Sequence, residues 1–393
     1  MLTIPDEVAG DPVTFNLVQT KDDCYKVARF IKANTTLGID TESTGLNCYH
    51  NMWQLRTVQI GHSTASYVVP ARFRGFIEWI MKSETRWIAH NGPHDIRSID
   101  AYLGYETGAW CFLETYIPSH HRDSRNQAEG GIGHGLKELA TALVDRDAGK
   151  WEKALKAAFK EILIEIPGEV YKSGPRKGTQ KYRKAKLSEG WGLIDPNDPR
   201  YVAYAAADPI LAFRVWQVLR SQAREQRNLY LFDQRVARAC DTLTRRGMPL
   251  DIPYTKRLSA AYLSKAQALM DTAADYGCTN IQSGQQIARA LTRLGVRLTE
   301  RTKTGQYVTD NTVLRGIMET TDSASVIHFI RAVLGAKQML KRRESYTEQM
   351  LREVDIHGRV HPSINILGAR TARMSVSNPP FQQLPTKDNE GDL

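Results

Sequence analysis

Near residue 220 the hydrophobic pattern of this chain changes period, and that change limits what it can fold into. Upstream, short apolar runs spaced like strands are interleaved with stretches spaced like helices. Thr36–Asp40 is an apolar run that ends in polar residues, Leu55–Gly61 alternates, and Ser66–Val69 and Arg86–Ala89 read as further strands. Lys21–Lys32, Phe73–Met81, Gly135–Leu143 and Trp151–Ile166 read as helices, as does Pro93–Leu103 with its proline in the first turn. Asn47–Gln54 is too polar for a core and reads as the turn after the first of these strands. This mixture predicts an α/β unit, a mixed sheet wrapped by helices. Downstream, long helical patterns dominate: Leu229–Arg245, Pro253–Tyr276, Ile281–Leu294 and Ser325–Val354, with a break at Arg246-Gly247-Met248-Pro249. Ser221–Asn228 is charged and lacks bulky apolar residues, which divides the 393 residues into expected domains 1–225 and 226–393.

Hydrophobic residues are 41 % and charged residues 24 %, which excludes a largely disordered chain. No uncharged apolar run approaches the ~18 residues of a membrane span. Met1–Gly10 carries Asp6 and Glu7 and does not read as a signal peptide. Cys24, Cys48, Cys111, Cys240 and Cys278 are scattered without a CxxC pair, so neither a disulfide framework nor a structural zinc site is expected, and a reducing cytoplasm is. The net charge of +10 is uneven. Lys172, Arg176, Lys177, Lys181, Arg183, Lys184 and Lys186 follow Tyr171 with no acidic residue among them. Two readings stay open: a solvated mobile loop, broken by Ser173, Gly174, Pro175 and Gly178, or an arm that attracts phosphates, with Tyr171 and Tyr182 available to stack on bases.

The sharpest chemical signal is Gly38-Ile39-Asp40-Thr41-Glu42-Ser43-Thr44-Gly45-Leu46. Asp40 and Glu42 are two apart at a strand end, so both carboxylates leave one face. Such neighbours repel, and divalent cations between them relieve the repulsion; oxygen ligands favour Mg²⁺ or Mn²⁺ over zinc. A solvated turn is the competing reading of this motif alone. Two further segments add acids: Trp87-Ile88-Ala89-His90-Asn91-Gly92-Pro93-His94-Asp95, a strand, turn and helix start, and Tyr201-Val202-Ala203-Tyr204-Ala205-Ala206-Ala207-Asp208. Tyr204 and Asp208, four apart, share a helix face.

Taken together, the three segments resemble the three exonuclease motifs of the DEDD 3′–5′ exonuclease superfamily, tyrosine subclass. Asp40 and Glu42 match the first motif, Asp95 the second, Tyr204 and Asp208 the third. The resemblance implies an RNase H-like fold over about residues 1–220 and catalysis with two divalent metal ions, Mg²⁺ or Mn²⁺. It implies that Asp40 bridges both ions, that Glu42 and Asp208 hold the nucleophile-side ion, and that Asp95 holds the other through water. Tyr204, with an ordinary pKa near 10, is expected to orient the water rather than deprotonate it. Leu46 matches a leucine that wedges beside the 3′-terminal base, and Asn91 matches the asparagine of the second motif. Three features depart from the pattern: His94 replaces an aromatic residue, Glu114-Thr115 replaces Asp-Thr, and Pro209 follows Asp208 directly. Proline inside a helix predicts a kink, or a restart with Asp208 as N-cap.

The second half resembles the entry to the polymerase region and thumb of family-A DNA polymerases, the DNA polymerase I type. The resemblance is carried by Leu231-Phe232-Asp233 through Asp251, Asn280–Gln286, Leu294-Gly295-Val296, Thr302–Gly305, Ala336-Lys337 to Tyr346, Gly358–Pro362, Thr371–Ser375, Asn378-Pro379 and Gln382–Pro385. It implies that Arg373 contacts the minor groove at the primer end. It places the palm and fingers beyond Leu393, since Asp388 and Asp392 sit in no matching motif, and it leaves no 5′-nuclease domain ahead of residue 1. A compact layout of this kind suits a phage protein in the host cytoplasm. The expected partner is DNA, as a single strand or a frayed 3′ end, bound by a monomer away from any membrane. The basic residues Lys172, Arg176, Lys177, Lys181 and Arg183 are the candidate contacts, with Arg97 and Arg125 as dispersed alternatives. An RNase D-like exoribonuclease and a non-catalytic DNA-binding module with a vestigial site are the competing readings.

Overall fold

The computed structural model describes residues 1–108 and 112–384. Cys111, Pro385, Asp388 and Asp392 lie outside the described residues. The chain forms two compact units: residues 1–246 with 364–375, and residues 247–363 with the segment from Val376 onward.

The first unit is built on a seven-stranded sheet. Its strands are β1 (Leu2–Val8), β2 (Asp11–Leu17), β3 (Thr36–Ser43), β4 (Leu55–Gly61), β5 (Ala65–Pro70), β6 (Arg86–Ala89) and β7 (Phe112–Glu114). They lie in the order β1-β2-β5-β4-β3-β6-β7. β3 pairs antiparallel with β4 and parallel with β6, so the sheet is mixed. Helices cover both faces. On one face α1 (Lys21–Ala33), α2 (Arg74–Met81) and α3 (Gly92–Leu103) bury Val27, Ile31, Ile77, Ile80, Ile96 and Ile99 against Leu37, Ile39, Val58 and Ile60. After α4 (Tyr116–Arg122), the helices α5 (Leu136–Leu143) and α6 (Lys150–Phe159) cover the other face. The strands β8 (Leu163–Val170) and β9 (Gln180–Lys184) and the helix α7 (Leu187–Leu193) follow. The long α8 (Pro199–Glu225) joins α5 and α6, burying Val202, Ala205, Ala206 and Ile210 with Phe15, Leu17 and Val68. The alanines of α8 remove side-chain bulk and let the helix approach the sheet closely.

Several sequence expectations change. The helix that begins near Trp151 ends at Phe159 rather than at Ile166, because Leu163–Val170 is a strand paired antiparallel with Gln180–Lys184. Gln180–Lys184 of the basic segment is therefore the second strand of a hairpin, and residues 171–179 are the loop that connects it to the first. The sheet also gains an edge hairpin, β1 and β2, that the sequence reading does not contain. Its alternation is visible in hindsight, with Leu2, Ile4 and Asp6 half-buried and their neighbours exposed. Pro209 neither ends nor restarts its helix: α8 runs through it from Pro199 to Glu225. The helix α9 (Arg227–Arg246) belongs to the first unit, where Tyr230 and Cys240 join a cluster with Trp216, Ile366 and Leu367. The compact units thus part at Arg246 and Gly247, later than the change in sequence pattern at 225, because α9 is amphipathic and buries one face.

The second unit is mostly helical: α10 (Ile252–Asp275), α11 (Gly284–Arg293), α12 (Asn311–Thr320), α13 (Ala324–Arg342) and α14 (Gln349–Glu353), with a π-helical stretch at Arg343–Glu348 joining the last two. Phe329, Ile330 and Val333 of α13 pack with Ala273, Ile287, Leu291 and Leu314. A short strand, Met248–Pro249, pairs with Arg359–Val360 at the start of this unit.

Candidate active site

Asp40 and Glu42 leave the α8-facing side of β3, and Asp208 approaches from α8. One ligand oxygen from each of the three lies within 4.8 Å of the others. The approach depends on a notch in the sheet. Gly38 and Gly61 are cross-strand partners on β3 and β4. A Cβ on Gly38 would stand 2.2 Å from the Pro209 carbonyl oxygen, and one on Gly61 would stand 3.1 Å from the Pro209 Cβ. Any side chain at Gly38 would push α8 away and carry Asp208 with it. Pro209 has no N–H for the preceding turn. One residue along that turn, the Ala206 carbonyl accepts from Ser66 Oγ at 2.7 Å.

Asp95 comes from the opposite face of the sheet. Thr41, between the two first-motif acids, points toward α3 and donates through Oγ1 to Asp95 Oδ1 at 2.6 Å. The first turn of α3 is fixed by Glu114. Its buried carboxylate accepts from the backbone N–H groups of Asn91 and Gly92, both at 2.8 Å, and of Tyr116 at 3.0 Å. Asn91 itself takes a left-handed conformation, φ 62°, which lets the chain turn sharply into the helix. Glu in place of Asp at 114 thus supplies the reach for a three-way clamp.

A residue that the sequence reading missed stands among these acids. The Lys137 ammonium, from α5, pairs with Asp208 Oδ1 and lies 4.7 Å from the centre of the Tyr204 ring. Among the described residues, no other donor is recorded on that Asp208 oxygen and no other acceptor on the Lys137 nitrogen. The only hint in the sequence is that Lys137 sits one turn from buried Ala140, at the margin of an apolar stripe, where a lysine is ordinarily solvated.

The electrostatics follow from burial. It pushes the Asp40 carboxyl up to about 7, although the Lys137 charge pulls it back. Burial and the charge of Asp40 hold Glu42 well above the usual carboxylate range. Asp95 is raised by burial and by Asp40, against the bond from Thr41. Burial lowers Lys137 to about 8, opposed by Asp40 and Glu42. Tyr204 is raised by burial and by the Glu42 and Asp40 charges, so its hydroxyl keeps its proton. His94 is lowered to about 4 by burial and is neutral at pH 7. A crowd of oxygen donors that resists ionising by itself fits a hard divalent cation, which favours every ligand's charged form.

The remaining candidates are spread out. Leu46 is 76 % exposed in the loop after β3. Lys172, Arg176 and Lys177 are exposed near the tip of the hairpin. Lys181 and Arg183 on its strand pair with Glu169 and Glu189, each at 2.7 Å. Arg97 and Arg125, the dispersed alternatives, are also committed, to Asp241 and Asp123. Arg373 is exposed on the segment that returns to the first unit.

Known proteins with similar sequences and folds point the same way. The chain is 30 % identical to a DNA polymerase of Mycobacterium phage L5, over 99 % of this chain and 62 % of the relative. It is 28 % identical to a DNA polymerase I of Chloroflexus aurantiacus, over 71 % of this chain and 30 % of the relative. It therefore spans less than two thirds of the curated relatives it matches. Its fold is similar to that of the POL domain of Pol1 from M. smegmatis, solved in a complex with DNA primer-template and dNTP. That likeness has a TM-score of 0.58 at 14 % identity and covers 95 % of this chain and 56 % of the other. The family model for DNA polymerase family A matches residues 253–393. With the 3′–5′ exonuclease model matching residues 15–224, more than half of its length, the chain belongs to the 3′–5′ exonuclease family found with family-A DNA polymerases.

Proposed function

We propose that residues 1–225 remove nucleotides one at a time from DNA 3′ ends, as the proofreading exonuclease of a family-A DNA polymerase whose thumb region lies in residues 226–393. The observation that carries this reading is the convergence of Asp40, Glu42 and Asp208 within 4.8 Å, with Asp95 held beside them by Thr41. Asp40, Glu42 and Asp208 would hold divalent ions, Mg²⁺ or Mn²⁺, with Asp40 central to the set, Glu42 and Asp208 serving the nucleophile and Asp95 the leaving group. Such ions, when bound, supply the charge that lets hydroxide approach an anionic phosphodiester and that stabilises the departing 3′-oxygen. Tyr204, protonated at neutral pH, donates to and orients the attacking water. Leu46, exposed beside the carboxylates in sequence, wedges against the terminal base, and Asn91 lines the entry of the strand. The basic hairpin draws the strand in, and Arg373 meets the minor groove of the primer. The carboxylates all come from one chain, which suits a monomer. The free thiols of Cys24, Cys48, Cys240 and Cys278 suit a reducing cytoplasm, that of a host cell if the chain is a phage protein like its relative.

The test uses a 5′-labelled single strand and Mn²⁺. The expected result is a ladder that shortens from the 3′ end, faster on single strands and mismatched ends than on paired ends. Asp40→Ala is expected to reduce turnover by about 10³-fold or more, the scale of losing a group that stabilises transition-state charge. Retarded but intact DNA supports a binding module instead, and preferential loss of an RNA strand supports an exoribonuclease.

A further inference from the structure

We propose that Lys137 is a resident cation of this site: its ammonium holds the place beside Asp208 that a divalent ion takes, and metal loading displaces it. The inference rests on reading the carboxylates as metal ligands. Three observations carry it. The Lys137 ammonium pairs with Asp208 Oδ1, an oxygen of the same cluster whose members converge within 4.8 Å. An ammonium has three donors, yet this buried one has, among the described residues, no partner recorded beyond the Asp208 carboxylate and the face of Tyr204 at 4.7 Å. Its position is therefore electrostatic and poorly bonded, unlike a structural ion pair. The side chain also has somewhere to go, because it lines an open depression of about 320 Å³ together with Gln127, Ile132, Glu138, Thr141 and Ala142.

Charge decides the exchange. A divalent ion carries twice the charge of the ammonium and coordinates carboxylate oxygen at about 2.1 Å, closer than a hydrogen-bonded ammonium at about 2.8 Å. The ion therefore wins, but its apparent affinity is reduced by the work of expelling Lys137. In the metal-free chain the ammonium offsets repulsion that would otherwise separate Asp208 from Asp40 and Glu42. Lys137 is a positioning residue on this account, since it acts through the carboxylates.

The experiment compares the full chain with Lys137→Met and Lys137→Gln, stripped of metal and without DNA. Mn²⁺ binding is measured by calorimetric titration, and thermal unfolding is followed with and without saturating Mn²⁺. The expected result is an apparent Kd for Mn²⁺ lowered about tenfold in both variants. Their melting temperature should fall in the metal-free state and return to the wild-type value with Mn²⁺. Unchanged or weaker Mn²⁺ binding overturns the proposal, and so does a loss of melting temperature that Mn²⁺ does not restore. If neither variant folds, the wild-type chain still decides. Acylation of Lys137 by an N-hydroxysuccinimide ester should rise when Mn²⁺ is added, and unchanged or reduced labelling overturns the displacement. Failure of the wild-type chain to bind Mn²⁺ at all overturns the metal-site reading instead.

Discussion

Two groups of buried or half-buried carboxylates lie in the first unit, and they are handled in opposite ways. Asp241 accepts from Arg97 and from Arg245 Nε at 2.6 Å. Asp100 accepts from the same Arg245 at 2.8 Å and from the N–H and hydroxyl of Thr107 at 2.9 and 2.7 Å. Asp23 is also buried, which alone would raise it, yet bonds from the N-terminus, Gln19 and Thr20 hold it well below the usual range. At Asp40, Glu42, Asp95 and Asp208 burial is not answered in this way. Among the described residues, one threonine and one ammonium contact these four acids. In the first group, Asp100 and Asp241 bind α3 and α9 together, and Asp23 ties the N-terminus to α1. The second has its demand for positive charge left open, which is what a cation-dependent site requires. Burial alone therefore does not separate brace from site; the count of partners does.

The comparison can be broken most forcefully at Asp241. Asp241→Ala leaves Arg97 and Arg245 buried without their shared acceptor, and should cost about 3–5 kcal/mol of stability in the first unit. Nuclease activity per folded molecule should survive. Calorimetric unfolding alongside a single-strand digestion assay checks both halves. An unaltered melting temperature would remove the distinction between the two groups.

A smaller effect is expected where the open site is held by packing rather than by bonds. Gly38→Ala places a methyl group against Pro209 and should cost about 1–3 kcal/mol, the usual range for overpacking. Turnover at saturating DNA should fall further than the stability change implies, because Asp208 moves with α8. A variant as active as the parent would show that the notch does not set the metal geometry.

The smallest effect tests the same contrast at the surface. Lys172, Arg176 and Lys177 have no ion-pair partner among the described residues, whereas Lys181 and Arg183 do. Replacing the first three with alanine should raise KM for single-stranded DNA and flatten the log–log salt slope by about 2, given about 0.7 per phosphate contact on single strands. Changing Lys181 and Arg183 should do less, and kcat should hold in both cases. An unchanged slope in the triple variant would mean that the hairpin is only solvated.

What the sequence made legible follows from how local each feature is. Asp40 and Glu42 are readable because their alternation on a strand is a two-residue rule, and Tyr204 with Asp208 because four residues make a helical turn. The mixed sheet is readable from short strand runs, and the helical second unit from sustained periodicity. Leu163–Val170 is not, because Leu163, Ile164 and Ile166 fit the end of a helix as well as a strand, and the decision rests on pairing with Gln180–Lys184. The continuity of α8 through Pro209 is invisible locally, since it depends on glycines from two distant strands meeting in register. Lys137 carries no motif at all; its meaning comes only from three acids contributed by other elements.

The segment 364–375 has a consequence for how such a chain is made. Ile366 and Leu367 complete an apolar cluster with Tyr230 and Cys240, and Tyr116 donates to the Leu367 carbonyl at 2.7 Å. The first unit is therefore not finished when its first 246 residues have been synthesised. Domains that are continuous in sequence close one after another as they leave the ribosome. Here the nascent first unit must wait, with part of its core uncovered, while more than a hundred residues of the helical unit are translated, and it closes only when the returning segment of chain arrives.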